Sequence, residues 1–344
     1  MTRPAECLEG KELEGGWLVG KRIKPRPTAT GGHFSTGYFV TNADGRTGFL
    51  KAMDYSDAFG ARDFVDQMKF LADAYIFERD ICLRCQAVRI TRVVHAMDYG
   101  SHQDPLAAVN RVEFLIFERA DGDVRAFLDQ QSEFDVAFAL RTLHGVAAAL
   151  QQLHLAEMAH QDVKPSNVLI FGEERKSKLG DLGRAWSKDC PAPHDGCRFA
   201  GDLGYAPPEL RYDDVVDEKA KRYGSDLYLL GSLAVFLFTR VHINGLVDKQ
   251  LDRSFQSSNL IMTYEDALPY LQAAFADAMH DFAAHVPDSI QSDLAAIVAE
   301  LCDPDYRRRG NPVRTSQQRY SLQRYVSTFD RLSRRVELEM KRRM

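Results

Sequence analysis

The residues best suited to chemistry lie in one stretch, which reads HQDVKPSNVLI from His160 to Ile170. It places Asp162, Lys164 and Asn167 at fixed offsets, directly before an apolar run that is typical of a β-strand. Phosphoryl transfer needs such a set, because a carboxylate orients the attacking hydroxyl, a cation offsets phosphoryl charge and an amide oxygen holds a metal ion. We therefore treat these three residues as candidate catalytic residues and Asn167 also as a candidate metal ligand.

Four further motifs follow this stretch along the chain. They are Asp181-Leu182-Gly183, Gly204-Tyr205-Ala206-Pro207-Pro208-Glu209, Ser225-Asp226-Leu227-Tyr228 and Asp303-Pro304-Asp305-Tyr306-Arg307. With the first stretch they resemble, in order, the catalytic loop, the D-F-G motif, the A-P-E motif, the Asp-containing helix and the D-P-x-x-R segment of eukaryotic-type protein kinases. Five motifs in the family's order are more than chance explains.

The resemblance covers residues 20 to 330 and implies an α+β, two-lobed protein-kinase-like fold. We expect residues 1–20 to be a loose arm, because they are polar and glycine-rich. Residues 21–118 would form a small β-rich N-lobe with one long helix, and residues 119–344 a larger, mainly helical C-lobe. The apolar spacing predicts a strand at residues 47–53 and helices at residues 62–88 and 134–159.

The resemblance also implies ATP and Mg²⁺ as cofactors. Asp181 would be a second metal ligand beside Asn167, and Lys51, which lies in a strand, would bind the nucleotide phosphates. Glu78 would pair with Lys51 from a helix. Asp73, about one turn earlier, is the alternative partner if the register of that helix differs.

The remaining nucleotide contacts are implied by the same resemblance. Gly32 and Gly37 would belong to the glycine-rich hairpin that covers the phosphates. Backbone groups of Glu118 and Ala120 would hydrogen-bond the adenine edge at the hinge between the lobes. Asp123 would meet the ribose, or it would only cap the helix that follows.

Some positions depart from the family pattern. Phe34 replaces the second glycine of the hairpin, Phe49 replaces the small residue that normally roofs the adenine, and Gln161 replaces the Arg of H-R-D. A pseudokinase that serves as a nucleotide-sensing scaffold is therefore one alternative to an active enzyme.

Asp202 stands where kinases specific for Ser and Thr normally carry a Thr, so the geometry around the catalytic Asp must differ or Asp202 must point away.

A small-molecule kinase is the other alternative, because such enzymes share the catalytic Asp and Asn. Lys164, Glu209 and Arg307 favour a protein substrate instead, since the small-molecule families lack these features. We expect Glu209 and Arg307 to form an ion pair that anchors the activation segment. The sequence therefore favours transfer to Ser or Thr of a protein whose identity it does not give.

The segment that would carry a regulatory phosphate contains no Ser or Thr between Lys188 and Gly204. Gln161 is neutral and cannot form a bidentate charge pair with a phosphate. Both parts of the usual phosphate switch are thus missing, so we expect activity that does not depend on phosphorylation of the activation loop.

The bulk composition is that of a globular chain. With 344 residues, 45% hydrophobic residues and a net charge of -5, it gives no reason to expect a nucleic-acid partner. We expect a cytoplasmic protein without a membrane span, because no apolar run is long enough and no signal-peptide core is present.

The six cysteines include a Cys82-x-x-Cys85 pair. Reduced thiols are the preferred interpretation and a zinc or redox site the alternative.

Residues 241–290 match no kinase motif and are predicted as a longer helical insert or a docking surface. Residues 306–344 hold twelve Lys or Arg and three Asp or Glu, a net charge of +9 by subtraction. They would form either an amphipathic final helix with solvated charges, which we favour, or a basic surface for an acidic partner.

Overall fold

The computed structural model describes residues 3–24, 35–103, 111–131, 133–257, 262–312 and 318–343. It confirms the expected α+β fold, with a β-sheet in the N-lobe and helices in the C-lobe. The N-lobe strands are β1 (Glu12–Leu13), β2 (Trp17–Ile23), β3 (Ser35–Asn42), β4 (Thr47–Met53), β5 (Ala96–Gln103) and β6 (Arg111–Glu118). They pair antiparallel in the order β1-β2-β3-β4-β6-β5.

The two faces of this sheet have different roles because side chains alternate along a strand. One face buries Tyr38, Val40, Leu50 and Ala52 in the N-lobe core. Lys51 lies between two of these residues in sequence, so it points to the opposite face. That opposite face lines the cleft between the lobes.

The N-terminal residues are not a loose arm, and that expectation was wrong for the described part. Ala5, Leu8, Leu13 and Trp17 are buried and pack into the core of the N-lobe. The Tyr38 hydroxyl also donates a hydrogen bond to the carbonyl of Ala5 at 2.7 Å. Most of the polar residues between them are exposed, so composition alone does not reveal the apolar residues that anchor the segment.

The single long helix of the N-lobe is α1, Phe64–Ala87. It lies within the predicted range of residues 62–88. Its buried face includes Leu71, Tyr75 and Ile81, which recur at helical spacing. This helix carries Glu78 toward the sheet. Cys82 and Cys85 are also buried in α1, and burial raises the pKa of the Cys85 thiol to about 12.

The C-lobe is mainly helical, with a few short strands. It contains α2 (Val124–Gln130), α3 (Val136–Leu155), α4 (Pro208–Arg211), α5 (Ser225–Thr239), α6 (Ile243–Gln250), α7 (Tyr264–Ala283), α8 (Asp288–Leu301) and α9 (Gln323–Arg343). Short strands complete it: β7 (Gly122–Asp123), β8 (Met158–Ala159), β9 (Val168–Phe171), β10 (Lys176–Leu179) and β11 (Trp186–Ser187). Helix α5 is mostly apolar and buried at every residue except its last, Thr239, so it forms the centre of the lobe.

Residues 241–290 are largely helical where the structure describes them, as α6 and α7. Part of this region supports the activation segment, because the Asn244 side-chain amide donates to the carbonyls of Gly204 and Ala206 at 2.8 and 2.9 Å. Among described residues, no single helix is long and apolar enough to cross a bilayer. Residues 220–239 and 243–250 pass that test only as a pair bent by 80°.

Candidate active site

Asp226 in α5 binds the backbone of the catalytic loop. One oxygen of this fully buried carboxylate accepts the amide hydrogen of His160 at 2.8 Å, and the other accepts that of Gln161 at 2.7 Å. Gln161 has a φ of 60°, a left-handed conformation that is uncommon for a residue other than glycine. The two hydrogen bonds to Asp226 help fix this bend and so place the next residue, Asp162, at the cleft.

Asp162, Lys164 and Asn167 meet in one cluster. The Lys164 Nζ lies 3.0 Å from Oδ2 of Asp162, and the Asn167 side-chain amide donates to the same oxygen at 2.9 Å. Burial raises the pKa of Asp162, and the positive charge of Lys164 opposes that rise. The arrangement thus places a carboxylate, a cation and an amide side by side on the cleft.

The second cluster joins the lobes through Lys51. Its Nζ lies 2.7 and 2.9 Å from the two carboxylate oxygens of Glu78 and 3.1 Å from Oδ1 of Asp181. Burial alone would lower the pKa of Lys51, but the charges of Asp181 and Glu78 raise it above its ordinary value. The partner of Lys51 is therefore Glu78, and the alternative register with Asp73 does not occur.

Asp181 and Asn167 offer the oxygen ligands that Mg²⁺ prefers. The Lys51 ammonium lowers the pKa of Asp181 to about 2, so this carboxylate is ionised at neutral pH. The amide nitrogen of Asn167 donates to Asp162, which leaves the amide oxygen to accept or to coordinate. Because Mg²⁺ commonly takes one or two protein ligands and completes its shell with phosphate oxygens and water, the residues present fit the ion.

The predicted hinge residues line the same cavity. Glu118, Ala120 and Asp123 all contact it. The Glu118 carboxylate pairs with Lys178 at 2.6 Å, so this side chain ties β6 to β10. The Asp123 carboxylate accepts the amide hydrogen of Ala126 at 2.8 Å and thus caps α2. Gly37 lies in β3, whereas Gly32 is outside the described residues.

Three phenylalanines form the roof of the cavity. Phe39, Phe49 and Phe117 lie side by side on β3, β4 and β6, because Phe49 is in register with both of the others. The Phe49 ring fills space beneath Gly37, where an added Cβ would come within 3.0 Å of it. Phe49 stands where the family normally has a small residue, but its ring does not close the cleft. A cavity of about 760 Å³ remains below the three rings.

Asp202 contacts Asp162 through its backbone and not through its carboxylate. Its amide donates to Oδ1 of Asp162 at 3.1 Å, whereas its own Oδ1 accepts from the amide of Gly204 at 2.9 Å. Gly201 makes this approach feasible, since a Cβ there would lie 2.3 Å from the carbonyl oxygen of Gln161. A backbone N–H thus stands where a Thr hydroxyl was expected.

The anchor of the activation segment differs from the expectation. Glu209 pairs with Arg309 and not with Arg307: two parallel hydrogen bonds of 2.7 Å join them, and both side chains are fully buried. Arg307 instead lies near the surface and pairs with Asp305 and Glu265. The sequence holds three consecutive arginines, 307 to 309, so the motif alone did not fix which one turns inward.

One buried cation near the catalytic loop was not predicted. Arg222 is 2% exposed and hydrogen-bonds the side chain of Gln161 at 2.9 Å. Its position three residues before Ser225 of the Ser225-Asp226 motif is a weak signal, because basic residues just before a helix are common. A turn of π-helix places Arg222 in the site, and no sequence pattern predicted this turn.

Comparison with known proteins gives a consistent result. The family model described as protein kinase domain matches residues 32–321. Relatives include a serine/threonine-protein kinase SBK1 of Danio rerio, 32% identical over 37% of this chain and 33% of its own length. Others are an Aurora kinase of Candida glabrata, 27% identical over 58% and 47%, and the mitosis inhibitor protein kinase mik1 of Schizosaccharomyces pombe, 35% identical over 55% and 30%. The chain matches less than half the length of each of these three relatives.

Proposed function

The chain belongs to the protein kinase family, and we propose that it is an active enzyme that transfers the γ-phosphoryl group of ATP to Ser or Thr of a protein substrate. The observation that carries this proposal is the assembled contact of Lys51 with both Glu78 and Asp181. It lies on the same cleft as the cluster around Asp162. A chain that had lost catalysis would have no need to keep both charge sets in one place.

Each group of this cleft has a proposed role. Asp162 orients the acceptor hydroxyl and takes its proton, and Lys164 offsets charge on the transferred group. Lys51, held by Glu78, binds the nucleotide phosphates. Asp181 and Asn167 would hold Mg²⁺, which when bound neutralises charge on the phosphate oxygens.

The backbone of Glu118 and Ala120 would bind the adenine edge, and Asp123 the ribose. Gly32 and Gly37 would approach the phosphates. These roles come from family membership and from the position of the described residues on one cavity.

A protein substrate is favoured over a small molecule by the anchored activation segment. The buried pair of Glu209 and Arg309 holds the far end of that segment, and Asn244 binds its carbonyls. A segment fixed in this way offers a firm surface for an extended peptide. The name of the Danio rerio relative, a serine/threonine-protein kinase, also favours Ser and Thr as acceptors.

We further propose that activity does not need phosphorylation of the activation segment. Gln161 replaces the arginine that would bind a phosphate, and residues 188–204 contain no Ser or Thr to carry one. Control would then come through partners or expression.

The test is transfer of label from γ-labelled ATP with Mg²⁺ to a generic protein substrate, followed by identification of the phosphorylated residue. We expect phosphoserine or phosphothreonine, and a loss of at least a hundredfold in Asp162→Asn, because the proton acceptor is removed. Prior phosphatase treatment of the enzyme should leave the rate unchanged. Transfer that survives in folded Asp162→Asn would contradict the assignment of this residue, and a complete absence of transfer by the natural chain would favour the pseudokinase.

A further inference from the structure

The activation segment is fastened to the C-lobe by a turn of π-helix that precedes α5. This turn, Ala220–Gly224, contributes two cations to the segment. The Lys221 Nζ donates to the carbonyl of Cys197 at 2.8 Å, and the Arg222 guanidinium contacts Asp195 at 3.3 Å. Single π-turns are rare and occur often at functional sites, because the wider turn redirects side chains.

Arg222 lies at the meeting point of three parts of the site. Its NH1 group donates to Gln161 of the catalytic loop at 2.9 Å, and its NH2 group to Asp195 of the activation segment. Its Nε donates to Glu218 at 2.7 Å, and the guanidinium carbon lies 5.7 Å from the centre of the Trp186 ring. A buried charge with this many partners holds them in a fixed relation.

Asp195 has a second task that orients it. One carboxylate oxygen contacts Arg222, and the other accepts the amide hydrogen of Ala192 at 2.8 Å. The amide of Asp195 in turn donates to the carbonyl of Ala192. The carboxylate therefore closes a tight turn and faces the arginine from a defined direction.

The same turn also reaches the N-lobe. His194, next to Asp195, is 1% exposed, and its ring meets Phe77 of α1 edge to face at 5.5 Å. Phe77 directly precedes Glu78, the residue that pairs with Lys51. The turn therefore contacts Arg222 on one side and the helix that carries Glu78 on the other.

We propose that Arg222 and Asp195 are positioning residues for phosphoryl transfer: a carboxylate built into the chain binds a buried arginine and holds the activation segment in its working position. This inference rests on the proposed function and extends it, because it supplies what an added phosphate would otherwise provide. The negative charge still lies on the activation segment, but the cation that binds it comes from the π-helical turn, and the catalytic loop contributes only the uncharged acceptor Gln161.

The test is the variant Asp195→Asn, which keeps the size of the side chain and an oxygen for the turn but removes the charge facing Arg222. Glu218→Gln is the matched control: it removes a carboxylate from the same guanidinium without touching the segment. Both acids are partly exposed, with 32% and 58% of their side chains accessible, and Arg222 keeps other partners in each variant, so both should fold.

We expect Asp195→Asn to lower kcat about tenfold, as loss of one charged hydrogen bond allows, with little change in the KM for ATP. Asp195→Glu should recover most of the rate, and Glu218→Gln should stay within about twofold of the natural chain, as a partly exposed pair allows. Hydrogen exchange in residues 188–205 should be faster in Asp195→Asn than in Glu218→Gln.

An unchanged kcat in Asp195→Asn would overturn the proposal, and so would an equal loss in Glu218→Gln. The two proposals can fail separately. If the natural chain transfers no phosphate, the proposed function fails. The exchange measurement then still decides whether Asp195 holds the activation segment, because unchanged exchange in Asp195→Asn would show that it does not.

Discussion

Phe49 and Gly37 are complementary residues in neighbouring strands. A glycine at position 37 lets the Phe49 ring lie close to β3, because an added Cβ would come to 3.0 Å from the ring and force it to shift. The ring therefore lies against the sheet and forms part of the roof, together with Phe39 and Phe117. Arg119 covers the outer side of this roof, with its guanidinium 4.2 Å from the centre of the Phe39 ring. A purine below this roof would meet aromatic rings on that side, while Ile23, Val94 and Leu169 contribute aliphatic groups to the same cavity.

Phe49→Ala should therefore weaken nucleotide binding. Stacking of a base on an aromatic ring contributes about 1–3 kcal/mol, so the Kd for ATP should rise about fivefold to a hundredfold. Calorimetry with the non-hydrolysed analogue of ATP measures this directly. Phe49→Leu is the matched control, because it keeps apolar contact but removes the stacking face. Its Kd for ATP should lie between that of the natural chain and that of Phe49→Ala. Tighter binding by Phe49→Ala would show instead that the ring obstructs the base.

The contact among the three polar side chains of the HQDVKPSN stretch could be predicted from the sequence, because they lie within one short loop. Asp162, Lys164 and Asn167 lie within six residues, and their mutual distances follow from one loop conformation. Contacts between distant segments were harder. Arg307 and Arg309 share the same local sequence environment, and only the three-dimensional path of the chain decides that Arg309 turns inward.

At the level of elements, the activation segment is held at its far end by α4 and the turn that precedes residue 310. The pair of Glu209 and Arg309 crosses this junction with both side chains at 0% exposure. The Arg309 guanidinium also donates to the carbonyl of Asp303 and stacks on Tyr228. Such a pair is costly to break singly, because the remaining charge stays buried without its partner.

Glu209→Ala should lower the free energy of unfolding by about 3–5 kcal/mol. The double variant with Arg309→Ala should cost much less than the sum of the two single variants, because neither charge is then left alone. Denaturant unfolding of the four proteins measures the coupling. Arg307→Ala is the control, since it removes a partly exposed arginine and should cost no more than about 1 kcal/mol. Additive effects of Glu209→Ala and Arg309→Ala would contradict a direct pair, and coupling of Glu209 with Arg307 would restore the original expectation.

Helices and strands with a clear period were predictable to within a few residues. Residues 62–88 were expected as a helix, and α1 extends over Phe64–Ala87. The expected helix at residues 134–159 is shorter, because α3 ends at Leu155 and the chain then turns into β8. The N-terminal segment has no such period: its anchors, among them Leu8, Leu13 and Trp17, are unevenly spaced and separated by glycines. These residues are buried in a core shared with residues of the N-lobe strands, so their packing depends on contacts between distant parts of the chain.

At the scale of the whole molecule, the C-terminal helix extends the domain beyond the part that matches the family. The match ends at residue 321, and α9 covers Gln323–Arg343. This helix packs against α3, and its arginines bind neighbouring elements: Arg324 contacts Glu300, and Arg335 contacts Asp293. Much of the positive charge that the sequence shows is thus used within the domain, which favours a structural role over a basic docking surface.

This structural role can be tested with one buried and one exposed position of α9. Phe329 is fully buried between α9 and the core, whereas Leu338, nine residues later, is 58% exposed. Phe329→Ala removes a large ring and leaves a cavity, so it should lower the free energy of unfolding by about 3–5 kcal/mol. Leu338→Ala should change it by no more than about 0.5 kcal/mol, because it removes an apolar group that is mostly in water. Both are measured by denaturant unfolding, with kinase activity assayed in parallel. If Phe329→Ala were as stable as the natural chain, α9 would be an appendage whose charges are available for a partner; a large loss with a single cooperative transition would make it part of the folded domain.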